Sequence, residues 1–206
     1  MIKGIARLGV GARVAALLCA ALIVSPTAAL AHHGPNNMFP TSHTASFCYD
    51  GTFGGSNTFC RTDNATLTTW VQSSITDASG INATLNSTYN TTDLNVVHVS
   101  SPVYSGEAET DIIYQQGSLS GTFIGYAWCN DAQGYLTCDQ AYARFLSHAP
   151  GRAVACHETG HDVGLTHPTE ADPRSSSSDP AYACMTNSSN SIYLGAHNTY
   201  IVNAYY

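Results

Sequence analysis

The sequence predicts one domain of mixed α and β structure, strands first and helices after, and three observations carry that expectation. Residues 95–99, 111–116 and 123–129 are short apolar or β-branched runs of strand length. Residues 152–163, behind Pro150 and Gly151, read as a helix that carries closely spaced histidines. At the C-terminus, residues 194–206 place Leu194, Ile201 and Tyr205 at spacings that share one helical face packed back on the domain.

The first 31 residues carry Lys3, Arg7 and Arg13, then an apolar run at 14–24, then Ala29-Leu30-Ala31. That order fits a secretory signal with small residues before the cut, so the mature chain is expected to begin near His32. The run falls short of the roughly 20 residues a bilayer span requires, and no retained membrane anchor is expected. Residues 32–206 then form a single exported domain. They hold four Arg, no Lys and all 14 acidic residues, which makes nucleic acid and anionic membranes poor partners. A monomer is expected.

Upstream of the histidines the pattern is less decisive. Residues 67–78 suit a helix with Trp70, Val71 and Ile75 inward, while residues 66–71 alone equally suit a strand. The stretch 64–95 is rich in Asn, Ser and Thr, with glycosylation sequons at Asn64, Asn82, Asn86 and Asn90 and another at Asn187, whose use depends on the host.

Seven cysteines are present; Cys19 lies in the leader, which leaves an even set of six for an oxidising compartment. Six cysteines allow 15 connectivities. Local spacing favours Cys48 with Cys60 and Cys129 with Cys138, leaving Cys156 for Cys184. That last bridge would join the residue before His157 to the residue before Met185.

The chemistry concentrates in His157, Glu158, His161, Gly164 and His167, spaced His-Glu-x-x-His-x-x-Gly-x-x-His. Two histidines four apart on a helix project from one face and can grip one ion. Gly164 can take the left-handed conformation that ends a helix, turning the chain so that His167 supplies a third ligand. Three protein ligands leave the fourth tetrahedral position of a single zinc ion open, the arrangement of a catalytic rather than a structural site. Glu158, one step round the helix, is placed to take a proton from the activated water. The inward stripe of this helix is expected to be Ala153, His157, Gly160, His161 and Gly164. Residues 168–183 read as a polar surface loop. His32, His33, His98, His148 and His197 read as ordinary polar residues, and no dedicated calcium loop is evident.

The extended histidine motif followed by Cys184-Met185-Thr186 resembles the metzincin metallopeptidases, with Met185 at the place of the Met-turn methionine, an apolar floor under the metal. The resemblance is to small secreted members of matrixin-like or snapalysin-like type, and snapalysins share the compact size. Snapalysins share His-Glu-Thr-Gly-His but carry aspartate at the place of His167. Several metzincins have a tyrosine two places after the methionine; Asn187 stands there, and Tyr193 is the next tyrosine. Residues 109–113 resemble the strand preceding the edge strand in matrixin-like enzymes. The resemblance implies an α+β fold: a twisted, mostly parallel mixed sheet with an antiparallel edge strand bordering the cleft, a zinc-binding active-site helix, a Met-turn and a C-terminal helix. It implies a peptide or protein substrate paired along that edge, near residues 126–129.

Together these features predict a secreted zinc endopeptidase in which His157, His161 and His167 hold the metal and Glu158 is general base and acid. The alternatives are a secreted zinc-binding or adhesion module without catalysis, and a toxin-like hydrolase of narrow specificity.

Overall fold

The computed structural model describes residues 35–55, 59–106, 108–187 and 190–206. The leader assigned to residues 1–31, with His32 and His33, lies outside them. Six strands form one mixed sheet: β1 (Arg61–Thr62), β2 (Thr66–Val71), β3 (Asn95–His98), β4 (Ile112–Gln116), β5 (Gly125–Gln133) and β6 (Thr137–Phe145). The strand order is β1-β6-β4-β2-β3, all parallel, with β5 antiparallel to β6 as the edge strand.

The helix expected over residues 67–78 does not form, and residues 66–71 are a strand. Leu67 and Thr69 are buried on alternate positions between exposed or half-buried neighbours, the period-2 pattern of a strand. The helix α1 (Ala78–Thr88) starts beyond it, where the Asp77 carboxylate accepts the Gly80 amide. Its buried stripe is Ile81, Thr84, Leu85 and Thr88, spaced three and four apart. Helix α1 is the crossover between parallel neighbours β2 and β3.

Helix α2 (Arg152–Asp162) follows β6, and Gly151 at its N-cap has φ of 79°, a conformation that glycine adopts freely. Of the expected stripe Gly160, His161 and Gly164 are buried and His157 is half-buried, but the buried face extends further. Ala155, Thr159 and Asp162 are buried at three- and four-residue spacing, while Ala153 is only half-buried and lines a cleft. The main core joins Leu67, Ile112, Tyr114, Ala143 and Phe145 of the sheet to Ile81, Leu85 and Ala155 of the two helices. The other sheet face carries stacked Trp128 and Tyr142, with the Arg144 guanidinium 4.3 Å from the centroid of Phe53.

The disulfides are Cys48–Cys60, Cys129–Cys138 and Cys156–Cys184. The first two pack together in a small second core with Phe39 and Ala141. Residues 172–180 form the mostly exposed part of the segment read as a surface loop; Pro168, Ala171 and Tyr182 are buried. Helix α3 (Gly195–Tyr205) turns inward Asn198, Ile201 and Val202, with Leu194 buried ahead of it; Tyr205, expected on that face, is 40% exposed. No helix among the described residues is long and apolar enough to cross a membrane.

Candidate functional site

The first two histidines stand one turn apart on α2. After Val163 the chain turns at Gly164, where φ is 90°, and Gly164 and Leu165 donate to the carbonyls of His161 and Gly160. These two bonds close the helix end and send the chain back toward His167. A Cβ at Gly164 would stand 3.0 Å from the Met38 sulfur and the Arg61 backbone, so conformation and space both call for glycine.

The three Nε2 atoms form a nearly equilateral triangle: 3.1 Å from His161 to His157, 3.2 Å from His161 to His167 and 3.2 Å from His167 to His157. Their tautomers follow from the opposite ring nitrogens. His157 Nδ1 lies 2.6 Å from the Cys184 carbonyl oxygen and His161 Nδ1 lies 2.8 Å from that of Leu165. A carbonyl only accepts, so each Nδ1 carries the hydrogen and each Nε2 presents a lone pair. His167 Nδ1 is 3.3 Å from Glu170 Oε2, which directs its ring the same way. Burial lowers His157 to about 4 and drives His161 well below its usual range, so both rings are neutral at pH 7.

The lone pairs of His157 and His161, 3.1 Å apart, repel each other, and a cation held between them and His167 removes the repulsion. Zinc bound tetrahedrally at roughly 2.0–2.1 Å requires nitrogens roughly 3.3–3.4 Å apart, within about 0.2 Å of the observed triangle. The residues fit the ion, and the carbonyls behind His157 and His161 are the outer partners that zinc-binding imidazoles ordinarily have.

Below the triangle the Cys156–Cys184 disulfide ties α2 to a tight turn. Ala183 there has φ of 46°, the only positive value at a non-glycine among the described residues. The turn aims the Cys184 carbonyl at His157 and seats Met185, which is fully buried. Met185 lies directly against Gly160: a Cβ there would overlap its sulfur and stand 2.9 Å from its Cε. A glycine between the two helical histidines is what admits the methionine.

Glu158 lines the same cleft as the three histidines. Burial pushes its carboxyl up to about 8. Gly125, the first residue of β5, lies against it: a Cβ at Gly125 would overlap Oε1 and stand 2.8 Å from Cδ. A cleft of about 750 Å³ runs past these groups, lined by Gly125, Tyr126, Ala127, Glu158, Phe59 and the three histidines among others. Phe59 stacks on His161 with centroids 3.9 Å apart. Along β5 the outer edge is taken by the segment near Cys48 from Cys129 onward, where Gly51 donates to the Cys129 carbonyl. Residues 125–127, which line the cleft, precede that stretch.

The fold thus brings together His157, Glu158, His161, His167 and Met185, from one helix, the loop after it and one turn. Tyr193 does not join them: its ring is 56% exposed and it is not among the cleft-lining residues. Gly125 and Phe59 were not singled out from sequence, although a glycine in a predicted strand is a signal for close backbone approach. Outside the cleft, His98 spans Thr69 and Asn86, His148 meets the Ser74 carbonyl and His197 packs on Tyr182.

No protein-family model and no curated protein matches the sequence. Solved structures that match include the crystal structure of myroilysin, at 12% identity and a TM-score of 0.30, over 66% of this chain and 61% of that one. A likeness of that size carries no argument about activity.

Proposed function

We propose that the protein is a secreted zinc-dependent endopeptidase of metzincin type. The observation that supports this most is the convergence of three imidazole Nε2 nitrogens on one point in a cleft that also holds a buried carboxyl. A module that only bound metal would need the first feature and not the second. Three disulfides are consistent with an extracellular destination.

Bound at the three nitrogens, zinc supplies a Lewis acid that polarises a carbonyl and lowers the pKa of water to about 7. The remaining work falls to the chain. The outer edge of β5 at residues 125–127 offers main-chain groups to an extended peptide and lays its scissile carbonyl beside the histidines. Glu158 takes one proton from the attacking water as its oxygen bonds to the carbonyl carbon, and returns a proton to the amine nitrogen as the C–N bond breaks. A nearby divalent charge favours the ionised carboxylate and offsets the rise that burial imposes on Glu158. Met185 keeps the floor dry and the histidine rotamers fixed.

The test is zinc-dependent cleavage of an unbiased peptide library. Chelator-treated protein should be inactive, and one equivalent of zinc should restore cleavage. Cleavage that persists in zinc-free protein would refute the proposal.

A further inference from the structure

Residues 36–39 run extended beside the chain that leaves α2, and the contacts alternate along it. Phe39 donates to the Gly164 carbonyl and Thr166 donates to the Asn37 carbonyl, each at 2.8 Å. Leu165, between them, faces the opposite way: its amide donates to Gly160 and its carbonyl accepts from His161 Nδ1. Residues 164–166, the last three before the third histidine, are therefore held on one edge by α2 and on the other by this N-terminal strap. Farther on, Asn36 and Asp172 exchange both backbone bonds at 2.8 Å, closing the loop that holds His167 and Glu170.

One side chain adds to this ladder. Asn37 is fully buried, and its Nδ2 donates to the Thr166 carbonyl at 2.9 Å and to Asn198 Oδ1 at 3.1 Å. Thr166 Oγ1 donates back to the Asn37 carbonyl at 3.1 Å. Asn198, also fully buried, donates its own amide to the carbonyls of Tyr182 at 2.7 Å and Leu194 at 3.0 Å. Two buried amides thus link the residue before His167 to the turn that seats Met185. A hydrophobic residue would fill the same volume, so this polar pair does something packing does not: it fixes the position of specific carbonyls.

We propose that Asn37 is a positioning residue of the metal centre, holding the Leu165-Thr166 backbone so that His161 keeps its tautomer and His167 its place in the triangle. The inference rests on reading the three histidines as a zinc site. It assigns the N-terminal strap, more than 100 residues from the motif in sequence, a part in metal binding.

Zinc affinity is measured by chelator competition in full-chain Asn37→Ala, Thr166→Val and Leu85→Ala, together with the visible spectrum of each cobalt(II)-loaded protein. Asn37→Ala should bind zinc about 10–100-fold more weakly, as loss of an outer partner ordinarily does, with an altered cobalt spectrum. Thr166→Val, which removes only the hydroxyl bond to the strap, should lose at least about threefold. Leu85→Ala removes buried packing in α1 and lowers stability, yet should keep wild-type affinity, since affinity is unchanged while nearly all the chain stays folded. Wild-type affinity and spectrum in Asn37→Ala would overturn the assignment. If that variant does not fold, wild-type affinity in Thr166→Val overturns it instead. Wild-type protein that binds no stoichiometric zinc would remove the metal centre itself, a result separable from either variant's.

Discussion

Replacing Gly160 by Ala tests the floor beneath the histidines by a change of sign. In the middle of a helix Ala is favoured over Gly by about 0.5–1 kcal/mol, so Gly160→Ala would ordinarily stabilise. Here the new Cβ overlaps the Met185 sulfur and stands 2.9 Å from its Cε and 3.2 Å from the Tyr89 hydroxyl. Met185 is fully buried under a helix tethered by a disulfide, so it has little room to retreat. Overpacking of this kind costs about 1–3 kcal/mol. The net expectation is a loss of about 1–2 kcal/mol. Met185→Ala alone removes a buried side chain and should cost about 2–5 kcal/mol. In that background the obstruction is gone, and Gly160→Ala should stabilise by about 0.5–1 kcal/mol, giving a coupling energy of about 2 kcal/mol. Urea unfolding of the four chelated proteins, disulfides intact, measures the cycle. A stabilising Gly160→Ala in the wild-type background would refute the placement of Met185 against the helix.

Gly125→Ala should displace the Glu158 carboxylate and lower kcat by at least about 10²-fold at unchanged zinc content, read by turnover and metal analysis side by side. Replacing both Cys156 and Cys184 by Ser opens a loop of 28 residues and should cost about 3–4 kcal/mol in denaturant unfolding. Asp111, buried at the head of β4, accepts from the Thr68 amide, and burial raises its carboxyl from 3.8 to about 6. Its folded value exceeds its unfolded one, so its contribution is fully present below pH 3.8 and is lost as pH rises through about 6, roughly 3 kcal/mol in all. Asp111→Asn should therefore flatten the stability profile of the chelated protein across that window, and an unchanged profile would count against the burial of this carboxyl.

What could be read from the chain follows its local physics. Helix α2 announced itself because its ligands recur at a helical spacing behind Pro150 and Gly151, and the cysteine pairs were legible because two of them are close in sequence. Strand β6 escaped notice: of its buried positions only the last, Phe145, is large and apolar, while Cys138, Gln140, Ala141 and Ala143 are small or polar, so period-2 alternation leaves little hydrophobic trace. Helix α1 was hidden in a run of Asn, Ser and Thr whose only large inward residues are Ile81 and Leu85. In the site, the ligands and the base stand in one motif, whereas Gly125, Phe59 and Asn37 reach it only through tertiary pairing. No sequence period marks a buried asparagine that pairs with another one 161 residues away.

The central claim is that a three-histidine metal site and Glu158 act together to cut peptides. Wild type and Glu158→Ala are compared for cleavage of the peptide library with bound zinc quantified in each. Equal zinc in both and cleavage by wild type alone, with the variant at least about 10²-fold slower, is the predicted result. Comparable cleavage by both proteins would contradict the account, as would full zinc occupancy with no cleavage by either.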